Sequence, residues 1–111
     1  MNLPVLTEVQ ILELVAKEYN VTVKEIQGSN RKRPLPESRR MACFFMDDIG
    51  HERKDIADAL QLDRSNITGQ LRVLNDELTL YRDTKEHFQN LLKAVNNLLN
   101  KVNNERKTEL K

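Results

Sequence analysis

The stretch Glu52–Leu74, ERKDIADALQLDRSNITGQLRVL, decides how the chain is read. Ile56, Ala59 and Leu60 recur at helical spacing, as do Ile67, Leu71 and Leu74, which predicts two short helices that each turn one apolar face inward. Gln61, Leu62 and Asp63 between them leave room only for a tight turn. Asp63 is placed to cap the second helix, its carboxylate taking a free backbone N–H, so that helix is predicted to begin there. Its first turn, Arg64, Ser65 and Asn66, then stands open to solvent, with Thr68 following. The pattern is a helix-turn-helix, in which the start of the second helix meets base edges in a major groove, and these side chains are all hydrogen-bond donors.

The rest of the composition suits that reading. The 111 residues are enough for one core but not two, and with 39% hydrophobic and 32% charged residues they describe a globular chain. Three Gly and three Pro leave little for the turns of an all-β fold. No apolar run approaches the roughly 18 residues of a membrane span, and the start of the chain lacks a secretory pattern. The single Cys43 cannot form an internal disulfide and fits a reducing cytoplasm.

Charge is sorted along the chain although the net is only +1. Residues 31–40, RKRPLPESRR, carry five of the eighteen basic residues against Glu37, while residues 41–60 carry five acids against two bases. A strong local positive field is compatible with a neutral total.

Working outward, Thr7 and Gln10 form a capping box, with Leu6 and Ile11 as its staple, and open a helix to Tyr19 that buries Ile11, Leu12, Val15 and Tyr19. Asn20 closes it. Val21–Ile26 is predicted to be a short helix presenting Val23 and Ile26. Pro34 and Pro36 stiffen the basic stretch into an arm that holds Arg31, Lys32 and Arg33 outward, and Pro36 suits a first helical turn. Met41, Phe44, Phe45 and Ile49 make the buried stripe of the next helix, with Ala42 and Met46 beside it, and Gly50 ends it. Gly69 weakens the second helix of the motif by about 1 kcal/mol relative to Ala, which points to close approach of another backbone or a ligand. Thr84 is expected to cap a last helix whose seam, Phe88, Leu91, Leu92, Val95, Leu98, Leu99 and Val102, either crosses the other helices or meets a partner. A domain of residues 1–102 and a frayed polar tail, 103–111, result.

Enzyme chemistry finds no footing. His51 and His87 have no ligand-spaced partner and read as solvated helix-end residues, so no metal site and no cofactor is expected. Cys43 on a buried stripe is a small core residue, Asp47 and Asp48 point to different sides, and no GxxxxGK loop is present.

From about Leu6 to Leu99 the chain resembles the C-terminal DNA-binding domain of the bacterial replication initiator DnaA. ILELVAKEYNVTVKEIQG is similar to its opening helices, RKRPLPESRRMA to its basic loop and following helix, DIADAL to the first helix of its helix-turn-helix, and YRDTKEHFQNLL to its last helix. The resemblance implies an all-α bundle with a helix-turn-helix of the Trp-repressor and DnaA C-terminal type, bound to double-stranded DNA in replication initiation or its regulation. It places Arg31 in a minor groove, and Arg39 and Arg40 on phosphates and a base, with Arg40 standing where the family often has Gln. Lys32 and Arg33 add phosphate contacts. The family's Arg-Asp-His-Thr-Thr-Val signature, which reads the major groove, appears with one residue fewer before it as Leu62-Asp63-Arg64-Ser65-Asn66-Ile67. Asp63 matches and is expected among the DNA-binding residues with Arg64, Ser65, Asn66 and Thr68; Ser65 and Ile67 match in kind, and Leu62, Arg64 and Asn66 depart. Without an ATPase portion, a fragment of a larger initiator or a stand-alone relative is expected.

Two rivals stay open. A protein-interaction module or transcriptional regulator would dock a partner, or a second copy, through the Phe88–Val102 seam. An RNA binder would use the same arm but would need exposed aromatics for stacking.

Overall fold

The computed structural model describes the backbone of residues 5–109 and the side chains of residues 5–105. The expected lead-in at Met1 and Asn2 lies outside them. Six helices follow in order: α1 Glu8–Tyr19, α2 Val23–Ile26, α3 Leu35–Ile49, α4 Arg53–Leu60, α5 Asn66–Leu80 and α6 Arg82–Glu109. No strand occurs among the described residues, and the all-α architecture agrees with the sequence reading.

Local chemistry sets the first two helices. Thr7 accepts from the Gln10 N–H at 3.2 Å while Gln10 Oε1 accepts from the Thr7 N–H at 2.8 Å, and Thr22 and Glu25 repeat the exchange at 3.1 and 2.9 Å. Each box satisfies backbone N–H groups that a helix start leaves unpaired. Asn20 closes α1 in the left-handed conformation, φ 56°. Gly50 does the same after α3 with φ 112°, a geometry a side chain would strain.

Helix α3 is the central post. Met41, Ala42, Cys43, Phe45 and Met46 are fully buried on it, and α1, α2, α4 and α5 all pack against it. Phe44 and Ile49, expected in the buried stripe, are half-buried at its border. Phe44, Phe45 and Phe88 form an aromatic cluster with centroids 5.2 to 5.5 Å apart, which ties α3 to α6. Buried Cys43 behaves as a core residue: desolvation, reinforced by Asp47 and opposed by Arg53, pushes its thiol up to about 12.

The last helix differs from its predicted start. It begins at Arg82, after a single extended residue, Tyr81 (φ −118°, ψ 126°), so Thr84 lies in its first turn and does not cap it. Its backbone is helical through Glu109, and residues 110 and 111 of the expected polar tail lie outside the described residues. Its seam crosses α1 and α5: Leu91 and Val95 are buried, and Phe88, Leu98, Leu99 and Val102 pack on the same core. Phe88, Leu98, Leu99 and Val102 are partly covered by this packing. Leu92 alone of the seam is exposed, at 40%.

Both histidines are fasteners, not solvated ends. His51 is buried, its Nε2 2.7 Å from the Leu6 carbonyl and its Nδ1 3.0 Å from Glu8. His87 stacks on Tyr19 at 4.3 Å and meets Glu18 at 2.9 Å, where Asn90 also donates, so α6 is pinned to α1. Their partners are 45 and 69 residues away, beyond the reach of a spacing argument.

Candidate nucleic-acid interface

The basic arm and the turn of the helix-turn-helix leave the body from one stitched point. Gly28 donates its backbone N–H to the Leu60 carbonyl at 3.0 Å, and Gln27 Nε2 donates to the Ala59 carbonyl at 2.9 Å. The arm begins three residues after Gly28 and the turn one residue after Leu60. The end of α4 and the root of the arm thus move as a unit.

On the arm, Arg31, Lys32 and Arg33 are all exposed. Asn30 Oδ1 accepts from the Lys32 N–H at 2.9 Å and the Lys32 carbonyl accepts from the Leu35 N–H at 2.9 Å, so side-chain and backbone bonds shape the loop where prolines supply no donor. Arg33 meets Glu37 at 3.3 Å, but its side chain is 85% exposed, and such a pair holds weakly against an incoming phosphate. Arg31 and Lys32 make no ion pair among the described residues.

Arg39 and Arg40 depart from their expected roles. Arg39 is buried, with Nε donating to the Ile26 carbonyl at 2.7 Å and Nη1 to the Asn30 carbonyl at 3.2 Å. Its guanidinium therefore clamps both ends of the arm's root and faces no solvent. Desolvation, aided by nearby Arg40, lowers its pKa from the usual guanidinium range. The signal was in the helix period: Leu35, Arg39, Ala42 and Met46 lie at i, i+4, i+7 and i+11 on the buried face of α3. Arg40 is largely covered too, its Nε against Glu77 of α5 at 2.5 Å and its Nη2 3.7 Å from Glu37. Arg40 Nε and Glu77 Oε1 are both sealed from solvent, so their charges answer each other.

The reading tip begins later than Asp63. Helix α5 starts at Asn66, preceded by Ser65 in helical conformation without a side-chain cap. Asp63 contributes its carbonyl, which accepts from the Asn66 N–H at 2.9 Å, and its exposed carboxylate caps nothing. A tighter turn wins over the side-chain cap here because the backbone carbonyl already takes the donor. Arg64, Ser65, Asn66 and Thr68 are exposed while Ile67 is fully buried, so the tip projects from an anchored base. Leu62, where the signature has Arg, is half-buried against the core. In α4 the buried residues are Ile56, Ala57 and Leu60, with Ala59 only half-covered.

Two further residues neighbour the tip: Arg53, which has no role in the sequence reading, and Gly69. Arg53, in the first turn of α4, donates through Nη1 to the Thr68 hydroxyl on α5. Gly69, exposed on the next position, has no atom of another element within 4 Å of where a Cβ would stand. Close approach of another backbone of this chain therefore does not account for this glycine.

An exposed basic arm whose root is bonded to the end of α4, with the exposed start of α5 following the turn on an all-helical frame, is the arrangement of a DNA-binding domain of the helix-turn-helix class. The family described as the bacterial dnaA protein helix-turn-helix matches residues 9–72, and the chain belongs to that family. Its partner class is accordingly double-stranded DNA. The match covers α1 through the first half of α5, which contains the arm and the tip. A comparison with curated protein sequences gives no match. Among the described residues there is no cluster of metal-ligating side chains and no helix long and apolar enough to cross a membrane.

Proposed function

We propose that the chain grips duplex DNA with two parts, the arm residues Arg31, Lys32 and Arg33 in a minor groove and on its phosphates, and the tip residues Arg64, Ser65, Asn66 and Thr68 in the adjacent major groove. The stitch of Gly28 to Leu60 carries the reading, because it fixes the origin of the arm beside the origin of the tip. Arg39 acts behind the arm as its clamp, and Arg40 as a brace between α3 and α5. Asp63, exposed beside Arg64, screens the tip from unselective attraction to phosphate.

Each phosphate neutralised lowers log K by about 0.9 per log unit of salt, so the arm supplies salt-sensitive affinity. Arg64 favours guanine through O6 and N7 and Asn66 favours adenine through N6 and N7, each worth roughly 1–3 kcal/mol of discrimination. Leu62, Arg64 and Asn66 differ from the family signature, so the site read differs from the usual initiator box. The role is DNA binding in replication initiation or its regulation in a bacterial cytoplasm. A protein partner or a second copy at α6 is a lesser reading, since the seam already lies on α1 and α5.

Selection of binding sites from a random duplex pool, with affinities measured at two salt concentrations, tests this. A recurrent short motif and a steep salt dependence are expected. Retention of every duplex alike, or of none, contradicts it.

A further inference from the structure

We propose that Arg53 is a further base-reading side chain, latched in place by Thr68, and that it supplies from α4 the arginine the family signature has lost at Leu62. The inference rests on the DNA-binding reading above and adds a residue to it. Arg53 is exposed in the first turn of α4, yet its guanidinium is held: Nη1 donates to the hydroxyl of Thr68, which is itself on the exposed side of α5. That bond takes one of five N–H donors, and among the described residues no carboxylate takes another. The edge formed by Nε and Nη2 stays available as a planar fork, the geometry that matches guanine O6 and N7.

The surroundings favour a base over a phosphate. The latch comes from the recognition helix itself, so the fork lies where α5 would enter the groove and not out on the flank. Beside Thr68, Gly69 carries no side chain and leaves open space where a Cβ would stand. Leu62, packed on the core, cannot serve. A hydroxyl that fixes one N–H also lowers the side-chain freedom lost when the fork engages its target. Arg53 is therefore pre-arranged in a way that a solvated phosphate-binding arginine is not.

The test uses the full chain, a duplex selected by the wild-type protein, and a scrambled duplex of the same length. Arg53→Ala is expected to lose roughly 5- to 150-fold on the selected duplex and less than about 3-fold on the scrambled one, because a lost base contact costs only where that base is present. Arg53→Lys is expected to behave like Arg53→Ala, since a point charge lacks the fork. Thr68→Val, which keeps the charge and removes the latch, is expected to lower preference in the wild-type background and to change it much less in an Arg53→Ala background, which separates the latch from any contact Thr68 makes itself. Should Arg53→Ala fail to fold, Arg53→Gln, which keeps a polar side chain and lacks the fork, takes its place. Equal losses on both duplexes, full rescue by lysine, or no loss at all overturns the proposal while leaving the DNA-binding reading intact. Failure of the wild-type protein to bind any duplex at low salt overturns that reading, and this one with it.

Discussion

Gly28 and Leu60, thirty-two residues apart in sequence, are joined by a 3.0 Å hydrogen bond from backbone N–H to backbone carbonyl, and this bond sets the arm beside the turn. Gly28 adopts φ 107°, which a Cβ strains although space for one exists. Gly28→Ala is expected to cost about 1–2 kcal/mol in urea denaturation and to weaken binding to selected and scrambled duplexes by similar factors, because it moves the arm and leaves the tip intact.

Arg31 and Arg39 separate contact from support. Arg31→Ala should weaken binding to every sequence and make the salt dependence shallower by about 0.9 in log K per log salt, the signature of one lost phosphate contact. Arg39→Ala should destabilise the fold by about 1–3 kcal/mol, since it leaves the Ile26 and Asn30 carbonyls without their donor. Its salt slope should stay that of the wild type once the comparison is restricted to folded protein.

The proposed two-part grip assigns Arg64 choice of base rather than affinity. Arg64→Ala is expected to lose roughly 5- to 150-fold on a selected duplex with little change on a scrambled one, and to melt at the wild-type temperature because Arg64 is exposed and outside the core. Competition binding against both duplexes checks it.

Cys43 reports on the core through pH. Its thiol holds its proton in the folded chain to about 12, against an ordinary value of 9.0, because it is buried, with Asp47 adding to the effect. Above a pH of about 9 the unfolded chain sheds that proton and the native chain keeps it, so stability is full below this range and falls as pH rises through it. Tyr19, raised by burial and then by Glu37, Glu18 and Glu77, acts in the same direction from higher pH. Urea midpoints should therefore decline between pH 9 and 11, and a thiol reagent at pH 8 should modify the native chain only as fast as it unfolds.

What could be read from the chain divides along physical lines. Thr7 with Gln10, Asn20, and Gly50 were legible because caps are written in neighbouring residues. The exposed arm was legible because prolines and like charges forbid a buried helix there. Charge type points Arg39 outward while helical phase puts it on the buried face, and two backbone carbonyls within reach make burial of its guanidinium tolerable. Arg40 with Glu77 and His51 with Leu6 join residues 37 and 45 positions apart, a relation no local pattern holds. The start of α5 slipped from Asp63 to Asn66 because a main-chain carbonyl did the work assigned to a carboxylate. Arg53 was passed over since its meaning arises only when Thr68 is brought beside it.

Chemical interference on a selected duplex tests the two-part grip most directly, using methylation of guanine N7 in the major groove and of adenine N3 in the minor groove. Interference at both, in adjoining grooves, is predicted for the wild type, with Arg31→Ala losing the minor-groove signal alone, and Arg64→Ala losing interference at its own guanine while keeping the minor-groove signal. Loss of both signals together in either variant, or interference confined to a single groove, would contradict the account.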